Sequence, residues 1–211
     1  MSRIEELCTT SERQVSSGLA TVKSGTGGTV ERLDEIRFDR AGSPLDRWQF
    51  SSDDPKNPAP PAFSSPLECK GGLTMTAPGT HHIDLKLRLG HRACNRLRFR
   101  LKIAKNCPES YAYANFRAKS RDGKEKSAWI ACDVGNKPSE GRGPDECIIY
   151  REPSGDGWAV FDLGLPKEVQ NSPLGLEHGL EFIDLQAIRL RGSVSVSPIE
   201  LYREDGGGRN T

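Results

Sequence analysis

With 211 residues, 35% hydrophobic and 28% charged, the chain has enough apolar material for one core, and this composition excludes a wholly disordered or fibrous polypeptide. It has no run of 18 apolar residues, which excludes a membrane-spanning helix of that length, and the opening Met-Ser-Arg-Ile-Glu-Glu-Leu lacks the apolar stretch of a secretory signal. The net charge of +1 conceals two blocks: thirteen bases against three acids from Lys86 to Lys126, then eleven acids against four bases from Ser127 to Ile188. A basic block marks either an anionic partner or basic strands that lie beside acidic ones in one sheet, and the second reading is preferred.

In chain order, residues 1–41 form a separate zone, expected to be flexible or partly helical. Ser2-Arg3-Ile4-Glu5 reads as a capping box that opens a short helix through Leu7. Ser24-Gly25-Thr26-Gly27-Gly28-Thr29 ends any helix, and Val30, Leu33 and Ile36 fit one face of a second short helix. The Gly-Thr-Gly-Gly run lacks the strand before it and the Lys-Ser/Thr after it that a phosphate loop needs. Residues 53–66 are proline-rich and read as an exposed extended loop.

From there the period changes to two. Ile83, Leu85, Leu87 and Leu89 alternate with charged residues, as do Leu97, Phe99, Leu101 and Ile103, and Ala112, Ala114, Phe116 and Ala118 then alternate with Tyr111, Tyr113, Asn115, Arg117 and Lys119. Alternation of this length predicts strands with one buried and one wet face. Further strands are expected at Ala128–Cys132, Cys147–Tyr150, Trp158–Leu163, Ala187–Arg191 and Val194–Tyr202, the last broken by Ser197-Pro198 as in an edge strand or bulge. Asp122-Gly123 and Asp156-Gly157 are hairpin signals, and Pro166–Gln170 is the one helical candidate. The reading is an all-β antiparallel sandwich over 42–203 with a disordered tail over 204–211.

None of the six cysteines (Cys8, Cys69, Cys94, Cys107, Cys132, Cys147) forms a Cys-x-x-Cys pair or a zinc-finger spacing with histidine. Reduced thiols in a cytoplasmic protein are expected. His81, His82, His91 and His178 have no metal or catalytic setting, and neither a Gly-x-Ser-x-Gly nor a His-Glu-x-x-His motif occurs. No catalytic residue and no cofactor is therefore assigned.

The segments "ANFRAKSRDGKEKSAWIA", "GWAVFDLGL" and "LQAIRLRGSVSVSPIELYRE" resemble the central hairpin and closing strands of the galactose-binding-like jelly rolls used by many carbohydrate-binding modules. That resemblance implies a jelly-roll fold and sugar binding, although members also bind lipids, nucleic acids or proteins, or brace a neighbouring enzyme. It also implies a structural calcium near the chain ends, for which Asp46, Asp53, Asp54 and Glu200 are the available carboxylates. Simple solvation of these carboxylates is the preferred reading.

The candidate binding face comes from the residues themselves. Tyr111, Tyr113, Asn115 and Arg117 alternate on one side of their strand, and Trp129 and Asp133 share a side of the next. A hairpin at Asp122-Gly123 lays these sides together. The expectation is an open aromatic platform edged by polar groups that binds a carbohydrate or related polyhydroxylated ligand. The rivals are a protein-interaction or accessory domain and, less favoured because Phe116 reads as buried and the basic face of strand 96–102 has no aromatic interleaving, a polyanion or nucleic-acid binder. Trp48 and Trp158 are expected in the core.

Overall fold

The computed structural model describes residues 21–23, 29–39, 48–52, 61–77, 83–89, 93–104, 110–135 and 145–205. In chain order the elements are β1 (Thr21–Lys23), β2 (Thr29–Ile36), β3 (Trp48–Ser52), β4 (Ala62–Ser64), β5 (Leu73–Thr76), β6 (Ile83–Arg88), β7 (Arg96–Ile103), β8 (Tyr111–Lys119), β9 (Glu125–Val134), β10 (Glu146–Arg151) and β11 (Ala159–Gly164). Helices α1 (Leu165–Asn171) and α2 (Pro173–His178) follow, then β12 (Glu181–Arg191), β13 (Val194–Val196) and β14 (Ile199–Glu204). The strands form a β-sandwich of two sheets. One has the order β1-β2-β14-β7-β13-β5-β4, with β11 also paired to β7; the other has the order β10-β9-β8-β12-β6-β3.

The alternation read from the sequence sets the core. Leu97, Phe99 and Leu101 of β7 and Phe161 and Leu163 of β11 point inward from the eight-stranded sheet. Ala114, Phe116, Ile130, Leu185, Ile188 and Leu190 meet them from the six-stranded one. Phe99 and Phe161 stack at 5.3 Å between ring centres. Leu165, Val169 and Leu174 of the two short helices close one part of the same cluster. Trp158 is buried, as expected, with Arg100 at 5.2 Å and Lys102 at 6.0 Å from its ring centre. The side chain of Trp48 lies outside the described residues.

Several local expectations change. Val30–Ile36 is a strand and not a helix: β2 runs antiparallel to β14, with Ile199 opposite Ile36 and Glu204 opposite Val30. Ile36 and, just beyond the strand, Phe38 are buried, so residues 29–38 contribute to the sandwich and not to an appendage that ends at 41. An i, i+3, i+6 spacing suits a helix, but β14 presents an unpaired edge that a strand fills with backbone hydrogen bonds. The capping box at Ser2–Glu5 and the tail beyond Asp205 lie outside the described residues.

The Asp122-Gly123 hairpin forms as read and joins β8 to β9. Asp156-Gly157 makes the same turn, with Ser154 and Ser120 in equivalent roles, each donating to the aspartate two residues on. Each glycine takes a φ of 83°, where a side chain is strained. However, the second turn joins no hairpin. β10 pairs in parallel with β9, and β11 crosses to pair with β7. A turn motif fixes the local reversal, whereas the partner strand is chosen by which face must be buried.

The Ser197-Pro198 step sits inside the sheet and not on an edge: β13 and β14 both pair with β7. Ser197 bridges the gap, donating its N–H to the Arg100 carbonyl at 3.0 Å and accepting the Arg100 N–H on Oγ at 2.8 Å. The predicted helix at 166–170 is α1. α2 adds a turn that begins at Ser172, whose side chain accepts the Gly175 N–H, and ends at Gly179 with φ 60°. That Ser-Pro start and Gly stop was a readable signal.

Candidate functional site on the six-stranded sheet

The β8–β9 register places Asn115 opposite Trp129, Tyr113 opposite Ala131 and Arg117 opposite Ser127. The two polar sides therefore share the outer face, as expected, and the register is not slipped. β12 lies on the other flank of β8 and brings Arg189 opposite Tyr113 and Arg191 opposite Tyr111, and β6 brings Lys86 opposite Arg189. Sequence reasoning assigned none of these three cations to the face, because they come from strands far away in the chain.

They change what the face is. Tyr111 and Tyr113 are only 5% and 3% exposed, so the expected wet platform is not what the structure presents. Tyr113 packs edge-on against Tyr111 at 5.6 Å and against Trp129 at 6.0 Å. The Arg189 guanidinium lies 4.2 Å from the Tyr113 ring centre and 4.4 Å from that of Trp129. Arg191 stands 5.8 Å from Tyr113, and Lys86 Nζ stands 5.3 Å from Trp129. β6 and β9 are three strand spacings apart, roughly 14 Å at about 4.8 Å each. Lys86 and Trp129 thus lean toward each other over β12 and β8, and Arg189 covers Tyr113. The outer face carries its own small apolar cluster of Tyr111, Tyr113 and Ala131, against which Trp129 and Ile148 pack half-buried.

The remaining predicted residues are mostly engaged. Asn115 is buried and donates from Nδ2 to Ser127 Oγ at 3.0 Å and to the Ala128 carbonyl at 3.1 Å. Arg117 holds Asp184 through Nε and Nη2, at 3.3 and 2.8 Å, and Glu125 through Nη1 at 3.1 Å. The hydrogen bond to Asp184, then the charges of Asp184 and Glu125, push its guanidinium further toward the charged form. Asp133 is on the same face but buried. Of the predicted set, Trp129 is the residue that keeps a half-open aromatic surface on the described face.

Part of the charge blocks resolves as internal pairing. Arg96 holds Asp162 through two bonds of 2.8 and 3.0 Å and also reaches Glu204, and Arg117 holds Asp184. A concavity of about 350 Å³ lies on the eight-stranded sheet, lined by Arg98, Arg100, Val160 and Pro198 with Glu35 and Glu200. Its charges are mixed and it has no exposed aromatic ring.

The chemistry needed for catalysis or for a metal is not gathered among the described residues. No group of three or more His, Cys, Asp or Glu side chains is placed to hold a metal there. Glu200 accepts the Tyr202 hydroxyl at 2.9 Å and faces Arg32 at 3.7 Å, while Asp46, Asp53 and Asp54 lie outside the described residues. His81, His82 and His91 also lie outside them. His178 ends α2, beside Glu177. Cys69, Cys94, Cys132 and Cys147 are buried and carry no disulfide. Burial pushes the Cys94 thiol up to about 11 and raises that of Cys147, so neither is a ready nucleophile. No helix among the described residues is long and apolar enough to cross a membrane.

No protein-family model matches the chain, and no curated protein matches its sequence. Among solved structures, a family 11 carbohydrate-binding module from Clostridium thermocellum, in complex with a β-1,3-1,4-mixed-linked tetrasaccharide, is similar at 15% identity. The match covers 82% of this chain and 95% of that one, with a TM-score of 0.39. The C-terminal family 22 carbohydrate-binding module of Clostridium thermocellum Xyn10B is similar at 9% identity over 89% and 99% of the two chains, with a TM-score of 0.37. A cellulase derived from Cel12A of Rhodothermus marinus is similar at 11% identity over 89% and 96%, with a TM-score of 0.35. At these identities and TM-scores the similarity is loose, and the β-sandwich is read from the two sheets themselves.

Proposed function

We propose that the chain is a non-catalytic binding module that takes a carbohydrate on the outer face of its six-stranded sheet, with Trp129 as the stacking surface. One observation carries this reading. A half-buried indole stands on a sheet face, braced edge-on by Tyr113 and by the Arg189 guanidinium. A tryptophan held in this way offers a rigid apolar surface ringed by hydrogen-bonding groups, which suits the C–H face and the hydroxyls of a pyranose. Arg189 lies against two rings and is fixed by them. Lys86 approaches Trp129 alone among the described rings, on a flexible stem that can swing aside to admit a sugar. Removing the indole takes away the stacking surface, so affinity electrophoresis of wild type and Trp129→Ala in gels containing a panel of plant and bacterial polysaccharides tests the reading. At least one polysaccharide should retard the wild type and leave the variant unretarded. Equal migration of the two in every gel contradicts the proposal.

A further inference from the structure

The indole of Trp129 stands between groups of opposite charge. On one side, Lys86 Nζ lies 5.3 Å and the Arg189 guanidinium 4.4 Å from its ring centre. On the other side is the edge strand β10, which pairs in parallel with β9 and puts Glu146 in register with Trp129. The Trp129 N–H donates to the Asp145 carbonyl at 3.0 Å, and this bond pins the start of β10 beside Trp129. Register partners project to the same side of a sheet, so Glu146 shares the outer face with Trp129, one strand spacing of about 4.8 Å away. Glu146 is half-buried and makes no hydrogen bond or ion pair with another described residue. The other carboxylates of the face are committed, covered or further off. Asp184 and Glu125 hold Arg117, Asp133 is buried, and Asp84 stands on β6 in register with Arg191.

A carboxylate only accepts hydrogen bonds, whereas ammonium and guanidinium groups only donate them. A pyranose laid on the indole would turn one edge to Glu146 and the other to Lys86. Its hydroxyls can donate to the first and accept from the second, and such bonds to charged groups are about twice as strong as neutral ones. A half-buried carboxylate without a partner carries a desolvation cost that donated hydroxyls offset. A polymer with a charge on every sugar gains at one flank and loses at the other: a uronate meets Glu146, and an amino sugar meets Lys86 and Arg189. We propose that Glu146 is the specificity-determining residue of this site and that it selects a neutral polysaccharide. The inference rests on the carbohydrate-binding reading above and names the substrate class and the hydrogen-bond acceptor of the same site.

The test is isothermal titration of the whole chain with galactomannan, arabinoxylan and xyloglucan as neutral polymers, polygalacturonate as the anionic one and chitosan as the cationic one. At least one neutral polymer should bind about tenfold more tightly than either charged polymer, with an affinity that added salt leaves unchanged. Glu146→Gln keeps the shape of the side chain, removes its charge and exchanges one acceptor oxygen for a donor. It should weaken binding of the neutral polymer about tenfold, the loss expected for one hydrogen bond to a charged group. It should also narrow the lead over polygalacturonate and leave the melting temperature within a few degrees of wild type; a merely structural role for Glu146 would not reorder the polymers. Should the variant fail to fold, the ranking of the polymers by wild type decides the matter. A charged polymer bound as tightly as the best neutral one overturns the inference and leaves the carbohydrate reading standing. So does a Glu146→Gln variant that binds as wild type does while Trp129→Ala has lost binding. No binding of any polysaccharide, here and in the gel panel, overturns the carbohydrate reading and this inference together.

Discussion

Replacing Trp129 by alanine should cost stability as well as binding, because the indole holds the outer-face cluster together. It is half-buried against Tyr113 and Ala131, edge-on to Tyr113 at 6.0 Å, with Arg189 at 4.4 Å and Lys86 at 5.3 Å. A fully buried tryptophan truncated to alanine loses roughly 3–5 kcal/mol, so a half-buried one loses about 2 kcal/mol. An aromatic pair adds roughly 0.5–1.5 kcal/mol and a cation–π contact roughly 0.5–1 kcal/mol, and part of each is already counted in that burial. The expected loss is about 2–3 kcal/mol, which for a chain of this size lowers the melting temperature by roughly 4–12 °C. Urea and thermal melts of wild type and variant, followed by circular dichroism, read this directly. A loss under about 0.5 kcal/mol, the range of ordinary surface changes, would mean that the stack is not formed in solution. A loss above about 4 kcal/mol would mean that Trp129 belongs to the sandwich core.

Deleting residues 1–40 should destabilise the sandwich, because it removes Ile36 and Phe38, each worth roughly 1.5–3 kcal/mol, and uncovers the edge of β14; a urea midpoint unchanged from wild type would contradict the place of β2. Gly175→Ala should destabilise by roughly 1–3 kcal/mol, since its Cβ would meet the Val169 carbonyl oxygen at 1.9 Å, and a thermal melt checks it. Cys94, its thiol raised to about 11 by burial, should resist alkylation by iodoacetamide at pH 8 in the native protein and react only after unfolding, as peptide mass spectrometry would show. Asp122 accepts hydrogen bonds from Ser120 and Lys124 that hold its carboxyl well below the usual range, so the hairpin's ion pair persists at neutral pH and is lost only in strong acid; carboxyl carbon shifts followed by NMR should show it still ionised at pH 3.

The elements that could be read from the sequence are those with one buried face. In β7 and β8 the apolar residues recur every second position because each inward side chain meets the opposite sheet, so the period and the buried face followed from Leu97–Ile103 and Ala112–Ala118 alone. β2 could not be read this way. It is half-buried along its length, and its register with β14 shifts between Leu201 and Tyr202, so Val30, Leu33 and Ile36 show no alternation. The parallel pairing of β10 with β9 was hidden for a different reason: Cys147 and Ile149 announce a buried face but not which neighbour completes it.

At the site, the two-strand reasoning placed Tyr113, Asn115 and Trp129 on one face correctly. It could not show that Tyr113 is covered, because Arg189 and Arg191 reach its ring only through the β8–β12 pairing. Residue type alone marked Tyr111 and Asn115 as wet. Their long-range neighbours bury them.

The most direct measurement of the central claim is a map of where a ligand touches the protein. In heteronuclear NMR titrations with an oligosaccharide cut from whichever polysaccharide binds in the gels, the indole N–H of Trp129 should shift with the largest amplitude. Backbone amides of β8, β9 and β12 near Tyr113, Ala131 and Arg189 should follow it with the same dissociation constant. Shifts confined to β7, β11 and the Ser197-Pro198 step would place binding in the groove of the other sheet and contradict the assignment of the site to Trp129.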